Sequence, residues 1–302
     1  MRRFARAAAI ALMLAALAVR PAAADVHGRT LVLAGGGATG TAWETGVLLG
    51  LQQSGIDPNA ADLVIGTSAG SIVGAQMRSG VPLATLFIAQ QTVSPGPLAA
   101  WAQNVDQGYL RDTAIMLDVQ PLTPAQRADV GARALAAKLP DEATWLPVFY
   151  AQSGIGALDA WPARPLDIVA VDTADGAVTV FDATKGVPLK LAISASAAVP
   201  AFTPPITIGT HRYTDGGVAG TNLRLAAGAA IVLAIIPRAS SLVQADIDAL
   251  RVGGSQVITV SPDDAALAAM GPNALDASRK AASADAGLVQ GKALALRLRG
   301  VW

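Results

Sequence analysis

A short apolar run that ends in a glycine-rich turn constrains this chain more than any other stretch. Residues 63–65 (LVI) lead into residues 66–70 (GTSAG), which fit the pattern G-x-S-x-G, and small and apolar residues follow. This order predicts a buried strand, a sharp turn and a helix, the context of a nucleophile elbow. The helix dipole behind Ser68 would favour a developing oxyanion. The alternative interpretation is a glycine-rich strand-to-helix turn with a spectator serine.

A second glycine-rich turn lies about thirty residues earlier. Thr30–Ala34 reads as a buried strand, Gly35–Gly40 contains four glycines, and residues 41–54 have a helical pattern. The glycines formally satisfy a dinucleotide fingerprint, but Asp62 precedes the second strand instead of closing it. The alternative is a nest of bare N–H groups that binds an anion. Next to the serine turn, at the same edge of a parallel sheet, such a nest would form an oxyanion hole.

The N-terminus has the three parts of a secretory signal peptide. Residues 1–6 carry three arginines, residues 7–19 are apolar, and residues 22–24 (AAA) offer an A-x-A cleavage site. This pattern predicts a signal peptide over residues 1–24 and an exported mature chain, residues 25–302, that is periplasmic or secreted. An uncleaved anchor is the alternative, but the apolar run is shorter than a membrane span.

Charge and residue usage exclude several classes of function. Loss of residues 1–24 removes four of the 22 basic residues and none of the 22 acidic ones, so the mature chain is net negative and unsuited to nucleic acid. The chain has no cysteine, which excludes thiol catalysis. A zinc site needs more ligands than its two histidines, His27 and His211, can supply. We therefore expect no metal, no cofactor and no nucleic-acid partner.

The middle of the chain reads as a helical, loop-rich region over residues 81–163. Helices are expected near Pro82–Thr92, Thr123–Leu139 and Glu142–Ser153, with several prolines between them. Large aromatic residues concentrate here, namely Trp101, Trp145, Phe149, Tyr150 and Trp161. They indicate either the ordinary core of a helical subdomain or a lid or acyl-chain groove.

The remainder of the chain returns to strands and ends in helices. The expected strands are Leu166–Val171, Val178–Phe181, 206–208, 211–213, Ala230–Ile236 and Val257–Val260, and the expected helices are 188–197, 262–270 and 274–296. The hairpin at 206–213 leads into Thr214-Asp215-Gly216-Gly217. An acid before two glycines is a turn by default, but it can also present a carboxylate on bare backbone to a neighbouring loop.

The scarcity of histidine restricts the base that could activate Ser68. A hydroxyl is a poor nucleophile until a base takes its proton. A triad in α/β-hydrolase order needs a histidine after the acid, and none follows His211. His211 could serve only if its hairpin folded over the serine turn, and we expect it to be a surface or packing residue. The remaining choice is a carboxylate, which would make the site a Ser–Asp dyad.

At this point the chain resembles the patatin-like phospholipases. The glycine run at 35–40, the G-x-S-x-G at 66–70 and the D-G-G at 215–217 occur in that family's order. The segments 42–48, 194–200 and 271–273 are also similar to bacterial members, so the resemblance covers roughly residues 29–292. It implies an α/β fold, a three-layer α/β/α sandwich with a mixed, mainly parallel central sheet. It also implies a lipid acyl hydrolase activity without a metal.

The resemblance assigns roles residue by residue. It implies that Ser68 is the nucleophile and Asp215 the base, in which case partial burial should raise the pKa of Asp215. The implied oxyanion-hole residues are Gly35, Gly36, Gly37 and Ala69, and the glycines that support the motifs are Gly40, Gly66, Gly70, Gly216 and Gly217. The family usually carries Arg or Lys where this chain has Thr39, which bears on its preference for phosphate headgroups.

The resemblance further implies a reaction class and a partner. The expected activity is that of a phospholipase A, a lysophospholipase or a carboxylic ester hydrolase that works through an acyl-enzyme. The expected partner is a lipid ester substrate at a membrane surface. An acyltransferase that uses the same acyl-enzyme, or a catalytically inactive lipid-binding protein, are the alternatives.

Overall fold

An eight-stranded sheet forms the centre of the computed structural model, which describes residues 28–92, 105–118, 121–238 and 243–302. The predicted signal peptide and Trp101 lie outside the described residues. The strands are β1 Arg29–Leu33, β2 Leu63–Thr67, β3 Leu166–Asp172, β4 Val178–Phe181, β5 Ile206–Ile208, β6 His211–Asp215, β7 Ile231–Ile235 and β8 Gln256–Val260.

Most of the described helices fall between these strands, and the last two follow β8. They are α1 Gly37–Gln53, α2 Ala69–Arg78, α3 Leu83–Gln91, α4 Gln107–Asp118, α5 Pro124–Ala136, α6 Glu142–Ser153, α7 Leu189–Ser196, α8 Val243–Val252, α9 Asp264–Met270 and α10 Lys280–Leu298. Short 3₁₀ helices occupy Pro58–Ala60, Gly216–Ala219, Leu223–Ala226 and Ala277–Arg279.

The sheet is mixed and mainly parallel. Its order is β5-β6-β3-β2-β1-β7-β8, with β4 paired to β3 beside this path. Strands β3, β2, β1, β7 and β8 run parallel, whereas β4, β5 and β6 are antiparallel to their neighbours. Parallel strands need crossover connections, which the helices supply. The predicted α/β class and sheet type are therefore confirmed.

Both faces of the sheet are covered by apolar side chains. On β1, Leu31 and Leu33 join a cluster that includes Trp43 of α1. The alternate residues Val32 and Ala34 join a second cluster to which α8 contributes. Because successive strand residues point to opposite faces, these two clusters place helices on both sides of the sheet.

Strands β2 and β6 meet end to end along β3. Thr67, the last residue of β2, pairs with Val169, and Asp215, the last residue of β6, pairs with the next residue, Ala170. Strand β4 takes the opposite edge of β3, where Asp172 donates its N–H to Ala177. This junction brings the C-terminal end of β2 next to the C-terminal end of β6, just before the turn at Gly216.

Most predicted elements are present, with shifts at their ends. The strands agree within two residues, and the predicted helices other than the last correspond to α1, α2, α3, α5, α6, α7 and α9. The helix expected at 274–296 begins only at Lys280, because Asn273 and Asp276 use their side chains to accept backbone N–H groups in turns before it. Helices α4 and α8 were not predicted.

Helices α1 and α10 approach each other through glycines. A Cβ atom at Gly46 or Gly50 of α1 would lie far inside van der Waals contact with backbone atoms of α10. In the same way, a Cβ atom at Gly287 or Gly291 of α10 would overlap backbone atoms of α1. This seam therefore allows the two backbones to pack closer than any other residue type permits.

Gly287→Ala is expected to lower the free energy of unfolding by about 3 kcal/mol, the upper part of the usual range for overpacking. The added methyl would meet the backbone of Trp43, which cannot rotate away as a side chain can. Gly108→Ala in α4 is the matched control, since its methyl would meet only the flexible Asp106 side chain and should not destabilise. Urea unfolding of both variants measures the difference. Equal urea midpoints for the two variants would contradict the close packing of α1 against α10.

Candidate active site

Ser68 occupies a strained turn between β2 and α2. It has φ 51° and ψ −116°, a left-handed backbone conformation that residues with a side chain rarely adopt. The flanking glycines make the turn possible: a Cβ atom at Gly66 would lie 2.7 Å from Ser71 Cα, and one at Gly70 would overlap the Leu33 carbonyl. The chain therefore makes the sharp turn that the pattern G-x-S-x-G predicts.

Hydrogen bonds hold the backbone of Ser68 on both sides. Its N–H donates to Ser196 Oγ at 2.9 Å, and its carbonyl accepts the Ser71 hydroxyl at 2.6 Å. The Ser68 hydroxyl makes no capping bond to α2, although Ser68 is the N-cap residue. The hydroxyl thus remains available for other partners.

Asp215 lies at the end of β6, at the junction with β2. One of its carboxylate oxygens accepts the Gly217 N–H at 2.7 Å, and its own N–H donates to the Ala198 carbonyl at 2.9 Å. A Cβ atom at Gly216 would overlap the Val169 carbonyl, so only glycine lets the chain leave β6 this close to β3. Both Ser68 and Asp215 are only 6% exposed.

The environment of Asp215 gives it an unusual acidity. Burial raises the pKa of its carboxyl from 3.8 to about 6, because a charged carboxylate is poorly solvated there. Hydrogen bonding from the Ser68 side chain and from the Gly217 N–H opposes this rise. The expected rise in the pKa of Asp215 is therefore present, and the Ser68 side chain limits its size by hydrogen bonding to the carboxylate.

The glycine run lies beside the serine turn. A Cβ atom at Gly35 would lie 3.3 Å from Ser68 Cβ and 3.9 Å from Ser68 Oγ. Gly36 is the N-cap residue of α1 and Gly37 its first residue, with φ 63°. A Cβ atom at Gly40 would come within 3.9 Å of the Ala69 side chain, so α1 and α2 begin next to each other.

Two helix N-termini consequently converge at the serine. The first N–H groups of a helix have no acceptor within it, which applies to Gly37 in α1 and Ala69 in α2. Such groups, with the positive end of the helix dipole, can stabilise an anion. The structure thus brings together the Ser68 hydroxyl, the Asp215 carboxylate and the amide groups that the sequence placed in three separate motifs.

Thr39 has a structural role in the glycine run. It is fully buried, and its N–H and hydroxyl both donate to the Ala274 carbonyl, at 3.1 and 3.4 Å. The glycine run is therefore fixed to the loop before α10 and has no positive side chain at this position.

Asn222 is a residue of this site that the sequence analysis missed. Its side-chain amide donates to Thr67 Oγ1 at 3.1 Å and to the Gly216 carbonyl at 3.1 Å. It thereby links the end of β2 to the turn after Asp215. Asn222 has φ 58°, a conformation that asparagine tolerates better than most residues.

His211 is not part of the site. It begins β6, whereas Asp215 ends it, which separates the two along the strand by about 13 Å. Its Nδ1 contacts the Asp172 carboxylate at 2.6 Å, and its side chain is 58% exposed. The placement agrees with a surface residue and leaves the carboxylate of Asp215 beside Ser68.

The described residues show neither a metal cluster nor a membrane-spanning helix. Within the described ranges, no group of three or more His, Cys, Asp or Glu side chains is arranged to hold a metal ion. Of the helices that the structure describes, none has both the length and the apolar character needed to cross a membrane.

Comparison with known proteins gives a family match. A family model described as "Patatin-like phospholipase" matches residues 31–227, and a search of curated proteins finds no match. Among solved structures, VipD from Legionella pneumophila is similar at 12% identity and a TM-score of 0.43, covering 91% of this chain and 68% of VipD.

The effector ExoU is also similar among solved structures. The type III effector protein ExoU matches at 16% identity and a TM-score of 0.41, with 92% of this chain and 54% of that chain covered. A complex of SpcU with ExoU from Pseudomonas aeruginosa matches at 16% identity and a TM-score of 0.37, covering 87% and 52%.

Proposed function

The chain belongs to the patatin-like phospholipase family, and we propose that it hydrolyses lipid esters with a dyad of Ser68 and Asp215. The family match makes it a hydrolase of ester bonds. The observation that carries the dyad is the placement of a strained serine against a buried aspartate whose pKa is about 6. An ordinary aspartate, with a pKa near 3.9, is a much weaker base.

In the first step, Ser68 Oγ attacks the carbonyl carbon of the ester while Asp215 accepts the hydroxyl proton. The tetrahedral intermediate then collapses, the alcohol leaves with the proton from Asp215, and the acyl group stays on Ser68. A general base is most effective when its pKa lies near the working pH. The buried Asp215 meets this condition.

The oxyanion of that intermediate would be held by backbone amides. Gly36 and Gly37 at the start of α1, together with Ala69 at the start of α2, supply N–H groups that their helices leave unpaired. Gly35 contributes by leaving space beside Ser68 Oγ, since a side chain there would crowd the hydroxyl. Loss of one oxyanion donor typically costs about 10²–10³ in turnover.

In the second step, water hydrolyses the acyl-enzyme. Asp215 takes a proton from the water, the resulting hydroxide attacks the acyl carbonyl, and Ser68 leaves with the proton. The products are a free carboxylic acid and the original hydroxyl. An acceptor alcohol in place of water would make the same site an acyltransferase.

The experiment that tests this function compares substrate classes. The protein without residues 1–24 is assayed on phospholipids, lysophospholipids and neutral glycerides, with and without an added alcohol. Release of free fatty acid supports the hydrolase, and exclusive formation of new esters would favour the transferase. Absence of turnover on all of these lipids and on a p-nitrophenyl ester would refute the proposal.

We also propose that the protein works outside the cytoplasm. The support is the N-terminal sequence alone, with its arginines, apolar run and cleavage site. Cell fractionation followed by intact-mass measurement tests this, and a mature chain that begins at Asp25 is the expected result. Recovery of the uncleaved chain from the cytoplasm would refute it.

The rate of ester hydrolysis is expected to depend on a single group with a pKa of about 6. Protonation of Asp215 removes the base, so kcat/KM should be constant above pH 7 and fall about tenfold per unit well below pH 6. Burial also raises the pKa of Glu44, a carboxyl of α1 outside the proposed dyad. Glu44→Gln is therefore the matched control and should keep the same inflection in a pH–rate profile.

A further inference from the structure

A buried serine behind the elbow contacts the proposed nucleophile. Ser196, the last residue of α7, is fully buried, and its Oγ accepts the Ser68 N–H at 2.9 Å. Its hydroxyl donates to the Val169 carbonyl at 2.6 Å. We infer that Ser196 is a positioning residue that sets the orientation of Ser68 towards Asp215, an inference that rests on the proposed function.

The N–H of Ser68 needs a partner that regular structure does not provide. Ser68 follows the last residue of β2 and precedes the first residue of α2. Its N–H therefore takes part neither in the hydrogen bonds of the sheet nor in those of the helix. A buried N–H without a partner is costly. Because a bond to the N–H restrains φ, Ser196 also restrains the direction in which the Ser68 side chain leaves the backbone. The restraint matters because Ser68 has φ 51°, a conformation that a residue with a side chain rarely adopts.

The second hydrogen bond of Ser196 goes to β3, the strand that pairs with the chain segments of both dyad residues. Val169 pairs with Thr67, next to Ser68, and its neighbour Ala170 pairs with Asp215. The Ser196 hydroxyl therefore connects the backbone of the nucleophile to the part of β3 that carries the base. One hydroxyl acts as acceptor and donor at once, which no apolar residue can replace.

The residues just after Ser196 hold Asp215. The Ala198 carbonyl accepts the Asp215 N–H at 2.9 Å and the Thr214 hydroxyl at 2.9 Å. The segment Ser196–Ala198 thus binds the backbone N–H of both dyad residues, two positions apart. By holding both backbones, this segment fixes the distance between Ser68 and Asp215, as residues packed around a catalytic group are expected to do.

Ser194 provides a matched control on the same helix. It is as buried as Ser196, but its hydroxyl donates to the Lys190 carbonyl one turn earlier, a bond within α7. Loss of that hydroxyl removes this bond and a side-chain hydrogen bond with Tyr150 without touching the elbow. The two serines therefore separate positioning from general effects on stability.

The experiment compares Ser196→Ala with Ser194→Ala in the mature protein. Ser196→Ala is expected to lower kcat on a soluble ester by about 10- to 100-fold with KM nearly unchanged, and to slow phosphonate labelling of Ser68 by the same factor. The pH inflection should move upward, because a displaced Ser68 no longer donates to Asp215. Ser194→Ala should keep kcat within twofold and the inflection in place.

Two results would contradict either the positioning role of Ser196 or the proposed function. If Ser196→Ala keeps the kcat and inflection of Ser194→Ala, the positioning role is refuted while the dyad stands. If the wild-type protein is neither active nor labelled, the proposed function itself fails.

Should the alanine variant not fold, Ser196→Cys, whose thiol is a weaker donor and acceptor, takes its place. An intermediate kcat then supports the inference, and wild-type kcat with an unmoved inflection overturns it.

Discussion

Replacement of Ser68 by alanine is expected to abolish ester hydrolysis and leave the fold intact. Loss of the nucleophile of a serine hydrolase lowers kcat by roughly 10⁴-fold or more. The Ser68 hydroxyl makes no capping bond to α2, so its removal does not weaken that helix. A fluorophosphonate probe should label the wild-type protein once, at Ser68, and leave the alanine variant unlabelled.

The backbone of Ser68 offers a second test with the same residue. At φ 51° a Cβ atom is strained, and glycine is not. Ser68→Gly should therefore be more stable than Ser68→Ala by about 1 kcal/mol, while both are inactive. Retained hydrolysis in either variant would remove Ser68 from the mechanism. Equal stabilities would contradict the strained turn.

Patterns that depend on neighbouring residues were predictable from the sequence. The segments β1–Gly35–α1 and β2–Ser68–α2 each consist of an apolar run, a glycine-rich turn and a helical stretch. An apolar run and the need for a bare backbone are local properties, so they are visible without knowledge of the fold. The two glycine-rich turns could be assigned to one edge of the sheet because parallel strands end there together, whereas Asp215 was assigned by the scarcity of histidine and by the family resemblance.

The supports of the site could not be predicted in this way. Ser196 reaches Ser68 across 128 residues, and Asn222 reaches Thr67 across 155 residues. Neither residue has a local signal that distinguishes it from other buried serines and asparagines. Their roles arise from the end-to-end meeting of β2 and β6 on β3, which only the register of the strands reveals.

One missed element did leave a signal in the sequence. Helix α8 places Val243, Ile247 and Leu250 at helical spacing against the sheet, and all three are buried. The start of α10 is a different case, because the preceding segment is held away from helix by side-chain turns and by the bond from Thr39 to Ala274. Such tertiary contacts override a helical pattern.

Asp215→Asn is expected to eliminate turnover and to make the protein more stable at neutral pH. The folded-state pKa of about 6 exceeds the unfolded value of 3.8, so ionisation of this carboxyl disfavours the folded state. The difference corresponds to about 3 kcal/mol above pH 6. An amide oxygen can still accept the Gly217 N–H, so part of this energy, about 1–3 kcal/mol, should be recovered.

The pH dependence of that gain identifies its cause. Below about pH 4 the carboxyl is protonated in both states, so the wild type carries no penalty and the gain from Asp215→Asn should vanish. Between pH 4 and 6 the gain should grow, and above pH 6 it should be constant. Asp172→Asn is the control, since that buried aspartate is paired with His211 and its replacement should bring no gain and keep hydrolysis. A loss of stability in Asp215→Asn at pH 7.5 would mean that the carboxylate serves the fold, and the dyad would lose its physical basis, because a base is retained against stability only where the chemistry requires it.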